Sequence, residues 1–333
     1  MKIAFFGTKP HDKMFFNQEN TKFHHEIVYF NVPLNSTTAP LTKGFEGVCA
    51  FVNDNLDKVC LKKLSKHGVK TIALRSAGFN NVDIDAANSF DITVVRVADY
   101  SPHSVAEHAV ALVLALNRKI YRAYNRVREN NFLLEGLLGF NLNDKVVGVI
   151  GTGKIGSVFC EIMKGFGCTV LAYDPLPNTD FSVQGIEYVD LQQLFKKSDV
   201  ISLHCPLTPE SHHLINDHTL SCMKDGVMLI NTSRGSLIDT AAIIKNLKSQ
   251  KIGYLGLDVY EEESDLFFKD ISNDILEDDK FARLLTFPNV LITGHQAFFT
   301  KEALENIAST TLQNLAHIEK GIGSNGLAVN MVR

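Results

Sequence analysis

Short apolar runs recur along the chain, and most are separated by stretches long enough to form a helix. In the first third they are Lys2–Phe6, Gly47–Val52, Lys70–Leu74 and Ile92–Val97. A second series comprises Val146–Ile150, Thr169–Tyr173, Val200–His204, Val227–Asn231, Leu255–Val259 and Val290–Thr293. Continuous rather than alternating hydrophobicity is what a parallel strand covered on both faces requires. The pattern predicts a doubly wound α/β chain with helices on both sides of parallel sheets. Two long helices stand out by their period. One begins near Ser104, where Ala109, Leu112, Val113 and Leu116 repeat at i, i+3, i+4 and i+7. The other begins near Lys301, with Thr300 as N-cap and Leu304, Ile307, Ala308, Leu315 and Ile318 as its apolar stripe. The acidic stretch Asp265–Asp279 reads as a solvated loop.

Length and composition narrow the class. A chain of 333 residues suggests two domains, and 45% hydrophobic with 21% charged residues is ordinary globular composition. A net charge of −4 gives no reason to expect a nucleic-acid or membrane-surface partner. The start, MKIAFFGTKP, lacks the apolar core of an export signal. The most apolar helical segment, Ala109–Leu116, falls far short of the roughly 20 residues a bilayer needs. Of the six cysteines none forms a C-x-x-C pair, so they read as reduced thiols in a cytoplasmic protein.

The strongest local signal is LNDKVVGVIGTGKIGSVFCEIMKGFGCTVLAYDP. An apolar strand runs into Gly151-Thr152-Gly153-Lys154-Ile155-Gly156, a helix follows, and a second strand ends at Asp174. This is G-x-G-x-x-G in its strand–turn–helix setting, with an acidic residue about 20 positions on. Gly151 permits the tight turn, Gly153 lets a pyrophosphate approach the backbone, and Gly156 lets helix and strand pack closely. The free amides and positive dipole of the helix start suit the diphosphate. Asp174 would accept from the ribose hydroxyls and repel a 2′-phosphate, which selects NAD over NADP. Because this motif starts near residue 146, the preceding α/β pattern must form another unit. We expect an NAD-binding Rossmann domain over residues 101–299, inserted into a flavodoxin-like substrate domain of residues 1–100 and 300–333.

Reduction of a keto acid needs a proton donor for the carbonyl oxygen and a cation for the carboxylate. The segments INTSRGSLID, LGLDVYEEESDLF and NVLITGHQAFFT each follow an apolar run. Ligands of open α/β sheets sit outside the carboxyl ends of strands, so the three can converge. Arg234 offers a planar fork for a carboxylate, His295 an imidazole for proton transfer, and Glu263 a carboxylate partner that favours the imidazolium. Each alone has a bland alternative: a surface Arg, one His among twelve, a solvated acidic run. Pro102-His103-Ser104-Val105-Ala106-Glu107-His108 approaches a zinc motif but is one residue out of spacing, and helix capping or interdomain packing explains it better. The pairs His24-His25 and His212-His213 read as surface residues, and no metal is expected.

Taken in order, FVND, RSAGFNNVD, VADYSPHSVAEHA, GTGKIG, YDP, HCPLTPE, NTSRGSLID, GLDVYEEE and TGHQAFFT resemble the D-isomer-specific 2-hydroxyacid dehydrogenases over nearly the whole chain. The resemblance implies reversible NADH-dependent reduction of a small 2-keto acid, with pyruvate and D-lactate the leading pair. It implies that Arg234 binds the substrate carboxylate and carbonyl, that His295 is the acid/base, and that Glu263 supports His295. It assigns the amides of Ala77, Gly78 and Phe79 to the carboxylate, and Tyr100 and Phe298 to the pocket wall. Phe51 stands at a substrate position where many relatives carry Tyr. Cofactor contacts carried over are Val105, Gly151–Gly156, Asp174, His204, Cys205, Pro206, Thr232, Ser233 and Asp258, together with Ser211, where relatives often have Asn. The loop with Leu266, Phe267 and Phe268 is longer than in glycerate and phosphoglycerate relatives, which favours the lactate branch. Two alternatives stay open: a dehydrogenase for bulkier D-2-hydroxy acids, and an NADH-sensing corepressor. Relatives form dimers or tetramers, and the apolar helix near residues 104–117 is the expected dimer interface.

Overall fold

The computed structural model describes residues 1–177, 185–263, 266–321 and 330–332. The chain divides into two compact units, Met1–Ser101 with Phe299–Arg333, and Pro102–Phe298. In chain order the strands are β1 (Lys2–Phe5), β2 (Glu26–Tyr29), β3 (Gly47–Ala50), β4 (Thr71–Leu74) and β5 (Thr93–Val95). Then come β6 (Val146–Ile150), β7 (Thr169–Tyr173), β8 (Glu187–Tyr188), β9 (Val200–Leu203), β10 (Val227–Asn231), β11 (Ile252–Leu257), β12 (Val290–Ile292) and β13 (Met331–Val332).

In the first unit the sheet order is β13-β5-β4-β3-β1-β2. Strands β1 to β5 pair in parallel in the flavodoxin-like order, whose switch point lies between β1 and β3. The edge strand β13 pairs antiparallel with β5. Both β3 and β4 are buried at every residue, as their unbroken apolar runs require. The helix Lys301–Glu319 starts where the side chain of Thr300 accepts from the Ala303 amide.

The second unit carries a parallel sheet of order β12-β11-β10-β9-β6-β7-β8. That is the dinucleotide-binding order with one strand added, and its switch point falls between β6 and β9. The sheet sorts its residues by parity. Leu229 of β10 and Ile201 and Leu203 of β9 join one apolar layer, whereas Met228, Ile230 and Val200 join the other. Both faces are therefore covered.

The helix Pro102–Arg118 differs from expectation. Ala109, Leu112, Val113 and Leu116 are buried against Val147, Val149, Phe159 and Met163 of the same unit. Its apolar stripe is used up inside the fold and cannot be the dimer face. The exposed apolar side chains follow it: Ile120, Tyr124, Val127, Phe132, Leu133, Leu134 and Leu138, between 51% and 86% exposed. No helix among the described residues is long and apolar enough to cross a membrane. Asp265 of the acidic stretch lies outside the described residues; Ile275 there is exposed, while Leu266 and Phe268 pack against the apolar core.

Candidate active site

The glycine-rich turn leaves β6 at Gly151, whose φ of +92° belongs to the left-handed region. A Cβ there would sit 2.6 Å from the amide nitrogen of Cys205, so the ends of β6 and β9 approach within backbone contact. At Gly156 a Cβ would lie 1.9 Å from the Gly151 carbonyl oxygen, which forces glycine where the helix Lys154–Gly165 passes the turn. Gly153 is different. It is the N-cap, has no side-chain cap, and a Cβ built on it meets nothing within 4 Å. The helix start thus opens onto free space.

Asp174 closes this corner. One oxygen accepts from the Thr152 amide at 2.7 Å and the other from the Leu176 amide at 2.9 Å. The Thr152 hydroxyl meets Tyr188 Oη at 2.8 Å. His204, at the end of β9, meets Ser202 Oγ at 2.8 Å and tilts against Phe159; burial pushes it down to about 3. Burial likewise pushes the Cys205 thiol up to about 11. The Cys205 carbonyl accepts from Ser233 Oγ at 2.6 Å. Val105 is buried, Lys154 is exposed, Ile155 half-buried, and the Ser211 hydroxyl is engaged locally, donating to the Pro206 carbonyl at 2.8 Å. The Thr232 hydroxyl is buried with no hydrogen-bond partner among the described residues. An open cradle at Gly153 and an orphaned hydroxyl at Thr232 both fit a bound dinucleotide.

Beyond β10, β11 and β12 the three segments singled out from sequence meet. Arg234 flanks the turn Gly235–Leu237, its carbonyl accepting from Asn231 Nδ2 at 2.8 Å. Its guanidinium donates to the Ser233 carbonyl at 2.6 Å and makes no ion pair among the described residues. A Cβ on Gly235 would lie 2.1 Å from the Tyr260 carbonyl carbon, so this turn rests directly on the segment after β11. There the Tyr260 amide donates to Glu263 Oε2 at 3.0 Å, and Glu263 Oε1 meets His295 Nδ1 at 2.9 Å. Arg234, Glu263 and His295 thus belong to one connected cluster, with the Phe268 ring 5.7 Å from the imidazole.

His295 sits at φ +53°, a strained setting for a non-glycine residue. Asp258 holds it there. The His295 amide donates to the Asp258 carbonyl at 2.7 Å. The Asp258 carboxylate accepts from the Gln296 amide, the Ala297 amide and Thr293 Oγ1 at 2.9, 2.8 and 2.5 Å. Burial pushes this carboxyl up, but the bonds from His108, Thr293, Ala297 and Gln296 outweigh it and hold it below the ordinary carboxylate range. Asp258 is fully buried. His108 Nε2 lies 3.0 Å from Thr293 Oγ1 and 3.4 Å from Asp258 Oδ1, within the second unit.

The acidic run resolves into three environments. Glu263 pairs with His295; Glu262 is exposed and lies 3.4 Å from Lys280; Glu261 accepts from Thr240 Oγ1 at 2.8 Å and meets His213 Nε2 at 2.6 Å. His213 is therefore not a surface bystander, contrary to the sequence reading. His25 is also buried, its Nε2 3.4 Å from the Leu312 carbonyl, because the loop before β2 folds beneath the helix Lys301–Glu319. Among the described residues no cluster of three His, Cys, Asp or Glu side chains has metal-binding geometry.

In the first unit, Ala77, Gly78 and Phe79 form the loop after β4. Their carbonyls accept from Arg96 Nη1 at 2.8 Å, Ser76 Oγ at 2.9 Å and the Val82 amide at 3.0 Å. Their own amides donate to no partner among the described residues. Phe51 is fixed by three neighbours: its amide donates to Asp54 at 2.7 Å, its carbonyl accepts from Asn81 at 2.8 Å, and Arg75 stacks 4.8 Å from its ring. The Tyr100 carbonyl accepts from Asn306 Nδ2 at 2.7 Å, and Phe298 is half-buried in the second unit.

Comparison with known proteins places the chain in a family. Residues 110–297 match the family described as D-isomer specific 2-hydroxyacid dehydrogenase, NAD binding domain. The chain is 56% identical to D-lactate dehydrogenase of Escherichia coli over 96% of its own length and 98% of that protein. Its fold matches the apo structure of D-lactate dehydrogenase from Escherichia coli with a TM-score of 0.89 at 54% identity, covering 96% and 98% of the two chains. It also matches D-lactate dehydrogenase from Aquifex aeolicus complexed with NAD and lactic acid, with a TM-score of 0.88 at 36% identity, covering 99% and 98%. The chain belongs to the NAD-dependent D-isomer-specific 2-hydroxyacid dehydrogenases.

Proposed function

We propose that this chain reduces pyruvate to D-lactate, reversibly, at the cluster of Arg234, Glu263 and His295. The observation that carries the reading is the Glu263–His295 pair at 2.9 Å beside an arginine that has no acidic partner among the described residues. A guanidinium left unpaired in a partly buried site is suited to a bidentate carboxylate ligand. Bound NADH supplies the hydride to the carbonyl carbon.

The chain's own work is binding and proton delivery. Arg234 takes the substrate carboxylate and polarises the carbonyl. In the first unit we assign the unpaired amides of Ala77, Gly78 and Phe79, with Phe51 and Tyr100, to substrate binding, and in the second unit Phe298. Glu263 holds Nδ1, which leaves Nε2 of His295 to give its proton to the carbonyl oxygen. For the cofactor, we assign the diphosphate to the amides at Gly151–Gly156 and the adenosine ribose to Asp174. Val105, Lys154, Ile155, His204, Cys205, Pro206, Ser211, Thr232 and Ser233 line its course. We assign Asp258 to the cofactor as well, and its carboxylate also fixes the Thr293–Ala297 turn that carries His295.

Steady-state kinetics of two variants test this reading. Arg234→Gln should lower kcat/KM for pyruvate by about a hundredfold or more, through loss of a charge-assisted pair. His295→Gln should lower kcat by roughly 10²–10⁴-fold. Unchanged kcat/KM in Arg234→Gln would remove its assigned role. We further place the protein in the cytoplasm, in keeping with six free thiols. As its oligomer we propose a homodimer or homotetramer.

A further inference from the structure

The Arg234 turn and the Glu263 segment are separate stretches of chain, yet reduction needs both in register. Direct packing of Gly235 on Tyr260 sets their distance but not their orientation. A third stretch crosses both. The His213 amide donates to the Ser236 carbonyl at 2.9 Å, the Ile215 amide to the Leu237 carbonyl at 3.0 Å, and the Asp239 amide back to the Ile215 carbonyl at 2.9 Å. From this stretch the His213 imidazole reaches Glu261 Oε1 at 2.6 Å, while Glu261 Oε2 takes the Thr240 hydroxyl at 2.8 Å. Glu261 thus ties the segment after β11 to Thr240, just beyond the Arg234 turn, and through His213 to the stretch that pairs with that turn. Its neighbour Tyr260 donates the amide that fixes Glu263.

We infer that His213 and Glu261 form a positioning clamp for the reaction, holding the Arg234 turn and the Glu263–His295 pair in one frame. The side-chain bonds of His213 and Glu261 run to each other and to Thr240. The inference rests on the reading of Arg234 and Glu263 given above.

His213→Ala and Glu261→Ala should each lower kcat/KM for pyruvate by about ten- to a hundredfold, the scale of an ångström-sized misplacement. The loss should appear in both KM and kcat, because Arg234 and His295 both lose their register. NADH affinity, read from its fluorescence, should stay within about twofold. His213→Gln, whose amide reaches the place of Nε2, should recover kcat/KM to within about fivefold, the worth of one hydrogen bond. A fall in melting temperature with unchanged KM and kcat would overturn the clamp. Should the alanine variants fail to fold, Glu261→Asp shortens the tie and should show the same kinetic loss; unchanged kinetics there would overturn it too. Arg234→Gln run alongside separates the two failures. If it collapses while the clamp variants do not, the clamp is wrong; if it too is unaffected, the assignment of the site is wrong.

Discussion

Two groups in the NAD-binding unit respond to pH by opposite routes. Asp258 is held below the ordinary carboxylate range by its donors. Its contribution to stability is present above the unfolded value of about 3.9 and is lost as pH falls through the lower folded value. Asp258→Asn should therefore destabilise the protein at neutral pH by about 1–3 kcal/mol, since an amide would face donors. In urea unfolding, that difference should shrink below about pH 4; a gap that persists unchanged would show that the charge is irrelevant. His204 has a folded value near 3, set by burial, so it stays neutral in the fold but takes a proton when unfolded below about 6.5. Stability should fall as pH drops from about 6.5 toward 3. His204→Gln should lose less stability between pH 7 and pH 5 than the parent, and equal losses would contradict the burial account. The sequence singled out Arg234, Glu263 and His295 through the ordered set of their motifs, and the structure joins Glu263 to His295. Sequence alone could not identify His108, His213 or Glu261 as partners, because each finds its partner tens of positions away. The spacing within His212-His213 or Glu261–Glu263 carries no trace of that pairing.

The nucleotide turn offers a contrast between neighbouring glycines. Gly156→Ala would drive a Cβ into the Gly151 carbonyl, backbone against backbone, and should cost about 1–3 kcal/mol of stability along with NADH binding. Gly153→Ala meets nothing, so its stability should stay within about 0.5 kcal/mol while NADH affinity falls about tenfold. Unfolding curves paired with fluorescence titration distinguish these; equal stability losses would mean that the open cradle is not what Gly153 provides. Strands with nearly continuous apolar runs, such as β10, were legible because burial on both faces leaves a continuous signature. Of the four edge strands, β12 was legible and the other three were not. β2 is exposed or half-exposed along its length, β8 has two residues, and β13 pairs antiparallel from the far end of the chain. The helix Pro102–Arg118 shows the limit of periodicity, for an apolar stripe announces burial without saying what covers it.

For the molecule as a whole, surface and activity lead to separate tests. The apolar residues between Ile120 and Leu138 are more exposed than a lone soluble unit would keep them. If a second copy covers them, Leu134→Glu with Leu138→Glu should shift the mass measured in solution to that of a single chain. A mass that matches the parent's would exclude this face. The central claim concerns chemistry and handedness, and one measurement reaches both: turnover of pyruvate with NADH, followed by chiral analysis of the product. The account predicts NADH consumption matched by D-lactate. L-lactate as product, or NADH bound tightly with no turnover of pyruvate, would contradict it.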